Sequence, residues 1–219
     1  MKARDHELHV VALTALYRSV TLQAEIAMYA RQFRVAEALL RERLDVIGIV
    51  QREARPGDPA PATERAAAER ELAQSRSGEC TQRALGVAGR QYALGKAHRY
   101  DDLAVLLKRK YDDYMTCARL LPAAPDRAYV EYAALVALEE SGRATQAAGH
   151  KDAADRTYRS CSDGARRIER DASDRVKRYL TTVAALCKGR EDGTYAVDRP
   201  QPLDAQDAKA FAPLTLPHP

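Results

Sequence analysis

Ten prolines fall into three clusters, Pro56 to Pro61, Pro122 to Pro125 and Pro200 to Pro219, and the stretches between them are free to be helix. Proline lacks an amide donor and clashes with the preceding helical turn, so long proline-free runs with apolar residues at helical spacing leave few architectures open. No proline precedes Pro56 and no glycine precedes Gly48, so residues 5–53 can be helical throughout. There Leu13, Leu16, Val20, Ala24 and Ala27, then Ala36, Leu40, Leu44 and Ile47, recur at threes and fours, the period of an amphipathic helix. A single helix of that length would reach about 73 Å at 1.5 Å per residue. The alternatives are a turn at Arg31-Gln32-Phe33 or an elongated coiled coil.

The remaining boundaries follow from the same signals. Residues 55–62 are a proline-rich linker, after which Thr63 is placed to cap a new helix. Ser75 to Gly78 weakens the pattern, and helix is expected again from Glu79 to about Lys96. Tyr100-Asp101-Asp102 opens another helix, its acidic residues matching the positive end of the helix dipole. Pro122 to Pro125 ends it, Asp126 caps a helix reaching about Gln146, and Ala148-Gly149-His150 turns into one beginning at Lys151. From Ala154 to Leu186 apolar residues alternate at fours and threes, except for two consecutive fours around Ala172 and Val176. That extra step marks either a coiled-coil stutter or a turn at Ser173-Asp174. Residues 189–219, with five prolines and little periodicity, read as a tail.

The domain organisation expected is therefore 1–54 as an N-terminal hairpin or long helix, 55–62 as linker, 63–188 as a helical hairpin domain and 189–219 as tail. The fold class is all-α, with five to seven helices arranged as consecutive antiparallel hairpins, solenoid-like or an elongated bundle. A chain of 219 residues with 46% hydrophobic and 30% charged residues can bury a sizeable core. With no Trp and two Phe but eleven Tyr, that core must rely on alanine contacts and tyrosine bulk. A net charge of +4 with interleaved signs gives no case for a nucleic-acid partner. No apolar run approaches the roughly 18–20 residues that span a bilayer. The first residues carry charge before any hydrophobic stretch and read as no signal peptide. A cytoplasmic location is the default expectation, and a periplasmic or secreted one follows if this is a processed form with disulfides.

The four cysteines are symmetrically placed. Cys80 lies 18 residues before His98 and Cys117 lies 18 after Arg99, while Cys161 and Cys187 each lie 13 from Asp174. Helices that reverse at those points bring each pair to one height, making Cys80, Cys117, Cys161 and Cys187 candidate disulfide partners. Small buried thiols filling narrow helix contacts are the other reading. No CxxC spacing supports zinc.

Catalytic signatures are missing from the sequence. Gly89 and Gly95-Lys96 fall one residue out of phosphate-loop spacing and are followed by Ala97 where a hydroxyl is required. No HExxH, Glu-x-x-His or Gly-x-Ser-x-Gly pattern occurs. His6 and His9 read as a solvated helix end. Lys108-Arg109-Lys110 is followed at once by Asp112 and Asp113 and reads as a solvated face. Tyr100, Tyr111 and Tyr114 fall near one stripe, a packing face or an interaction surface. No enzyme, metal or cofactor is expected.

Residues 138–166 resemble a single tetratricopeptide repeat. Gly142 stands where that family places a small residue in the first helix, Gly149 falls in the turn, and Ala154, Tyr158 and Cys161 match the small, aromatic and small residues of the second helix. Leu138, Thr145 and Arg166 depart from the family pattern. The resemblance implies a helical hairpin that presents Glu139, Arg143 and Gln146 to a peptide groove. It also implies a non-catalytic adaptor or scaffold whose partner is a protein or peptide, itself included. A self-associating bundle joined through the long N-terminal helices is the alternative, and an unusual helical enzyme is a third.

Overall fold

The computed structural model describes residues 3–53 and 62–194. The fold is all-α, with eight helices among those residues: α1 (Ala3–Tyr29), α2 (Phe33–Glu53), α3 (Ala62–Leu85), α4 (Ala88–Lys96), α5 (Tyr100–Ala118), α6 (Ala124–Ala147), α7 (Lys151–Glu169) and α8 (Asp174–Glu191). That is one more than the upper expectation. Most of residues 55–62 and of the tail, along with the side chains of His6 and Thr63, lie outside the described part. The tail also begins later than expected, because α8 continues through Gly189 to Glu191.

The described residues group into two units. The first holds α1, α2 and α3 as far as Glu79, with Leu120–Pro122; the second holds the chain from Cys80 to Arg119 and from Ala123 onward. The division thus falls within α3, not at the proline-rich segment. Side-chain contacts tie the first part of α3 to α2: Ser75 Oγ donates to the Phe33 carbonyl at 2.7 Å, and Arg34 Nε donates to Glu79 at 2.8 Å.

In the first unit the long N-terminal stretch is two helices. Arg31 takes a left-handed φ of 58°, its amide bonds to the Met28 carbonyl, and the Gln32 amide reaches back to the Ala27 carbonyl at 2.8 Å. This reciprocal pair of bonds closes the last turn of a helix and reverses the chain. Val20, Ala24 and Ala27 of α1 are buried with Ala36, Leu40 and Ile47 of α2 and Ala68 of α3. Leu16 is not on that face; it is 43% exposed. Tyr17 occupies the inward position, and its hydroxyl accepts from buried Arg43 at 2.9 Å. Arg43 also donates to Glu71 at 2.8 Å, so one guanidinium joins all three helices of this unit.

The second unit is built around α6, which packs against α5, α7 and α8. Leu135 and Leu138 of α6 share a core with Cys161, Ala165 and Ile168 of α7 and Val176, Leu180, Val183 and Cys187 of α8. Leu94, Leu103, Leu106, Leu107 and Ala144 form another. The reversals fall where the cysteine symmetry needs them. His98 (φ 55°) ends α4 with the Arg99 amide bonded to the Leu94 carbonyl, and the stutter around Ala172 is a turn between α7 and α8. Gly149 (φ 93°) closes α6 through a bond from the His150 amide to the Thr145 carbonyl, a conformation that suits a residue without a Cβ.

The α6–α7 contact depends on Gly142. A Cβ there would lie 2.5 Å from Cε1 of Tyr158, whose side chain is fully buried and tied through its hydroxyl to Gln146. Gly142→Ala should therefore destabilise the protein by about 1–3 kcal/mol through overpacking. The melting temperature, followed by circular dichroism, should fall by several degrees. An unchanged value would show that the two helices yield easily here.

Candidate functional site

Two regions carry polar or apolar groups in arrangements that core packing alone does not account for. The first is inside the second unit, on α6. Glu139 is 5% exposed, and its carboxylate lies 2.5 Å from Nε of Arg190 on α8. Both side chains are withdrawn from water. Burial pushes the Glu139 carboxyl above its ordinary range, more strongly than Arg190 and Arg143 pull it down. Gln146 accepts a hydrogen bond from the Tyr158 hydroxyl at 3.0 Å. Burial pushes that phenol up to about 12, so at neutral pH it donates as a neutral group. Arg143 is half-buried between these residues in sequence, and its Nε has no hydrogen-bond partner among the described residues.

Two of the three residues expected to face a peptide groove are therefore placed against other helices. Glu139 lies on the packing face of α6, and Gln146 is bonded to Tyr158 of α7. The physical reason is the breadth of α6's packing surface: with α5, α7 and α8 around it, positions that a two-helix hairpin would leave open face a neighbour. Glu140 shows the same effect. Burial raises its carboxyl, and it accepts from Gln91 of α4, whose side-chain oxygen accepts in turn from Lys110 Nζ at 3.2 Å. These groups link helices and are arranged to hold charge in place.

The cysteines are brought together as two pairs at disulfide distance. Cys80 and Cys117 have Sγ atoms 2.06 Å apart and Cα atoms 5.5 Å apart; Cys161 and Cys187 have 2.10 Å and 6.1 Å. Both Cα separations fall in the usual range for a bridge. Of the tyrosine stripe, Tyr114 is core at 4% exposure, while Tyr111 is half-buried under the Lys108 ammonium, 4.7 Å from its ring centre.

The second region is the outer face of α1 in the first unit. Val11, Leu22, Ile26 and Tyr29 are 61%, 58%, 59% and 79% exposed, and Leu16, 43% exposed, lies at the edge between this side and the buried one. The inner face of α1 is already satisfied by α2, so this helix is apolar on two sides. Sequence reading identified one stripe and missed the other. The signal was present as a second three-four register, Ala12, Ala15, Ser19, Leu22, Ile26 and Tyr29, displaced from the buried one.

Among the described residues no group of three or more His, Cys, Asp or Glu is placed to hold a metal ion, and no helix is long and apolar enough to cross a membrane. No family model matches the chain, and no curated protein or solved structure matches it.

Proposed function

We propose that this chain is a non-catalytic protein-binding helical module, an adaptor or scaffold, whose contact surface is the outer face of α1. The observation that carries this reading is the set of exposed large apolar side chains at Val11, Leu22, Ile26 and Tyr29 on one side of a helix whose opposite face is already packed. Contiguous exposed apolar surface of that kind marks interaction sites far more often than isolated exposed residues do. The tetratricopeptide-like hairpin of α6 and α7 belongs to the same reading as a rigid support, with Gly142 and Tyr158 in the roles the resemblance implies. Glu139 and Gln146 then hold helices together, and a peptide groove over them is not required. With both cysteine pairs oxidised, the module works in an oxidising compartment.

Site-specific photo-crosslinking tests this. A benzophenone side chain placed at Leu22 or Ile26, in an extract of the source cells, should yield a defined polypeptide adduct, identified by mass spectrometry. The same probe at exposed Asp45 on α2 should not. Absence of an adduct at the α1 positions would overturn the proposal.

A further inference from the structure

We infer that the partner of the α1 face is a second copy of this chain, bound through an antiparallel, two-fold symmetric pairing of α1 with α1. The pairing deepens the protein-binding role proposed above and rests on it. Within the register Ala12, Ala15, Ser19, Leu22, Ile26 and Tyr29, which Val11 borders on one flank, the three positions nearest the N-terminus are small and the three nearest the C-terminus are large. Their three-four spacing is that of a coiled-coil seam. Two parallel copies in register would set small against small and large against large, leaving a gap at one end and a crowd at the other. Antiparallel copies do the opposite. With the two-fold axis beside the peptide joining Val20 to Thr21, Ala12 meets Tyr29 of the other copy, Ala15 meets Ile26 and Ser19 meets Leu22. Every layer combines one small and one large side chain, as close helix packing requires.

The charges bordering the seam agree with the same axis. Arg18 and Glu25 each precede a seam residue, Ser19 and Ile26, and so lie on one flank of the stripe. Antiparallel pairing brings the Arg18 of each copy beside the Glu25 of the other, giving two symmetric ion pairs. Both side chains are exposed, and neither has an ion-pair partner within the chain among the described residues. On the other flank Leu16 faces Gln23, whose amide donates to Ser19 Oγ at 3.0 Å and leaves its stem against the apolar neighbour. Steric size and charge sign, read independently, thus select one orientation and one register.

The test is sedimentation velocity on the full chain over a concentration series, with circular dichroism as a check on folding. The wild type should show a monomer–dimer equilibrium. Arg18→Glu sets like charges together at two symmetric places and should weaken the dimer roughly tenfold or more. Adding Glu25→Arg to that variant restores opposite charges and should recover the affinity. Ala15→Ile should likewise disrupt the dimer, and Ala15→Ile with Ile26→Ala should rescue it by exchanging the two sizes. All four positions are exposed, so folding should not change. A dimer indifferent to Arg18→Glu overturns the pairing. A monomer at all concentrations also overturns it, and the crosslinks at Leu22 and Ile26 then separate the two failures. An adduct with a different protein leaves the protein-binding role standing, whereas no adduct removes both.

Discussion

Reduction of the two cysteine bridges should cost the second unit a large part of its stability. Closing the 37-residue interval between Cys80 and Cys117 and the 26-residue interval between Cys161 and Cys187 removes conformations from the unfolded chain. The chain-entropy relation puts that at about 3.8 and about 3.5 kcal/mol respectively. For a chain of this size the loss of both should lower the melting temperature by roughly 15–30 °C. The comparison is a calorimetric scan with and without a phosphine reductant. It should be preceded by a thiol titration of denatured, unreduced protein, which should find no reactive thiol; four titratable thiols would show that the pairs are not bonded. Three of the four cysteines are 0% exposed, so reductant should act slowly until the unit opens.

The Glu139–Arg190 pair should behave as a buried ion pair does, costly to halve and cheap to replace whole. Arg190→Met leaves the Glu139 carboxylate withdrawn from water without its nearest cation, and about 3–5 kcal/mol should be lost at neutral pH. Glu139→Leu combined with Arg190→Met should be near neutral or stabilising, so a double-mutant cycle should return strong coupling. The pH dependence follows from burial. Because the Glu139 carboxyl is raised in the folded state, its linkage contribution is fully present below the ordinary carboxylate range and is lost as pH rises through the raised value. The advantage of the double variant over the wild type should therefore be greatest at neutral pH and shrink on acidification. Glu131, also raised by burial, acts in the same direction in both proteins and cancels in the comparison. A double variant as unstable as the single one would show that the pair is not the reason Arg190 matters.

Much of the second unit was legible because its boundaries are marked by chemistry that acts locally. Pro122 and Pro125 force the α5–α6 break, Gly149 supplies a left-handed cap, and the double step around Ala172 marks the α7–α8 reversal. Other features depend on neighbours distant in sequence. Ser75, Ser77 and Gly78 look like a helix breaker, yet α3 runs straight through them. Gly78 must stay small because the Phe33 ring would lie 2.5 Å from a Cβ there, and Ser75 bonds the Phe33 carbonyl. The actual interruption comes later, where the Gly86 amide ends α3 on the Gln82 and Arg83 carbonyls. The proposed site was harder still. The α6 periodicity indicates which residues share a face, but not that three helices would cover it, so Glu139 was expected in the open. On α1 two apolar registers overlap, and the pattern does not say which one α2 would take.

The paired cysteines have a mechanical consequence. Pulled from its two ends in the oxidised state, the chain cannot pay out the segments enclosed by Cys80–Cys117 and Cys161–Cys187, while the whole of α6 lies outside both loops. At about 3.4 Å per extended residue, the two enclosed segments withhold roughly 200 Å of contour length. Under load, then, α6 and the first half of α7 can unravel into slack while the segments inside the two loops stay closed, and the greatest span the protein can bridge is set by the oxidation of four sulfur atoms.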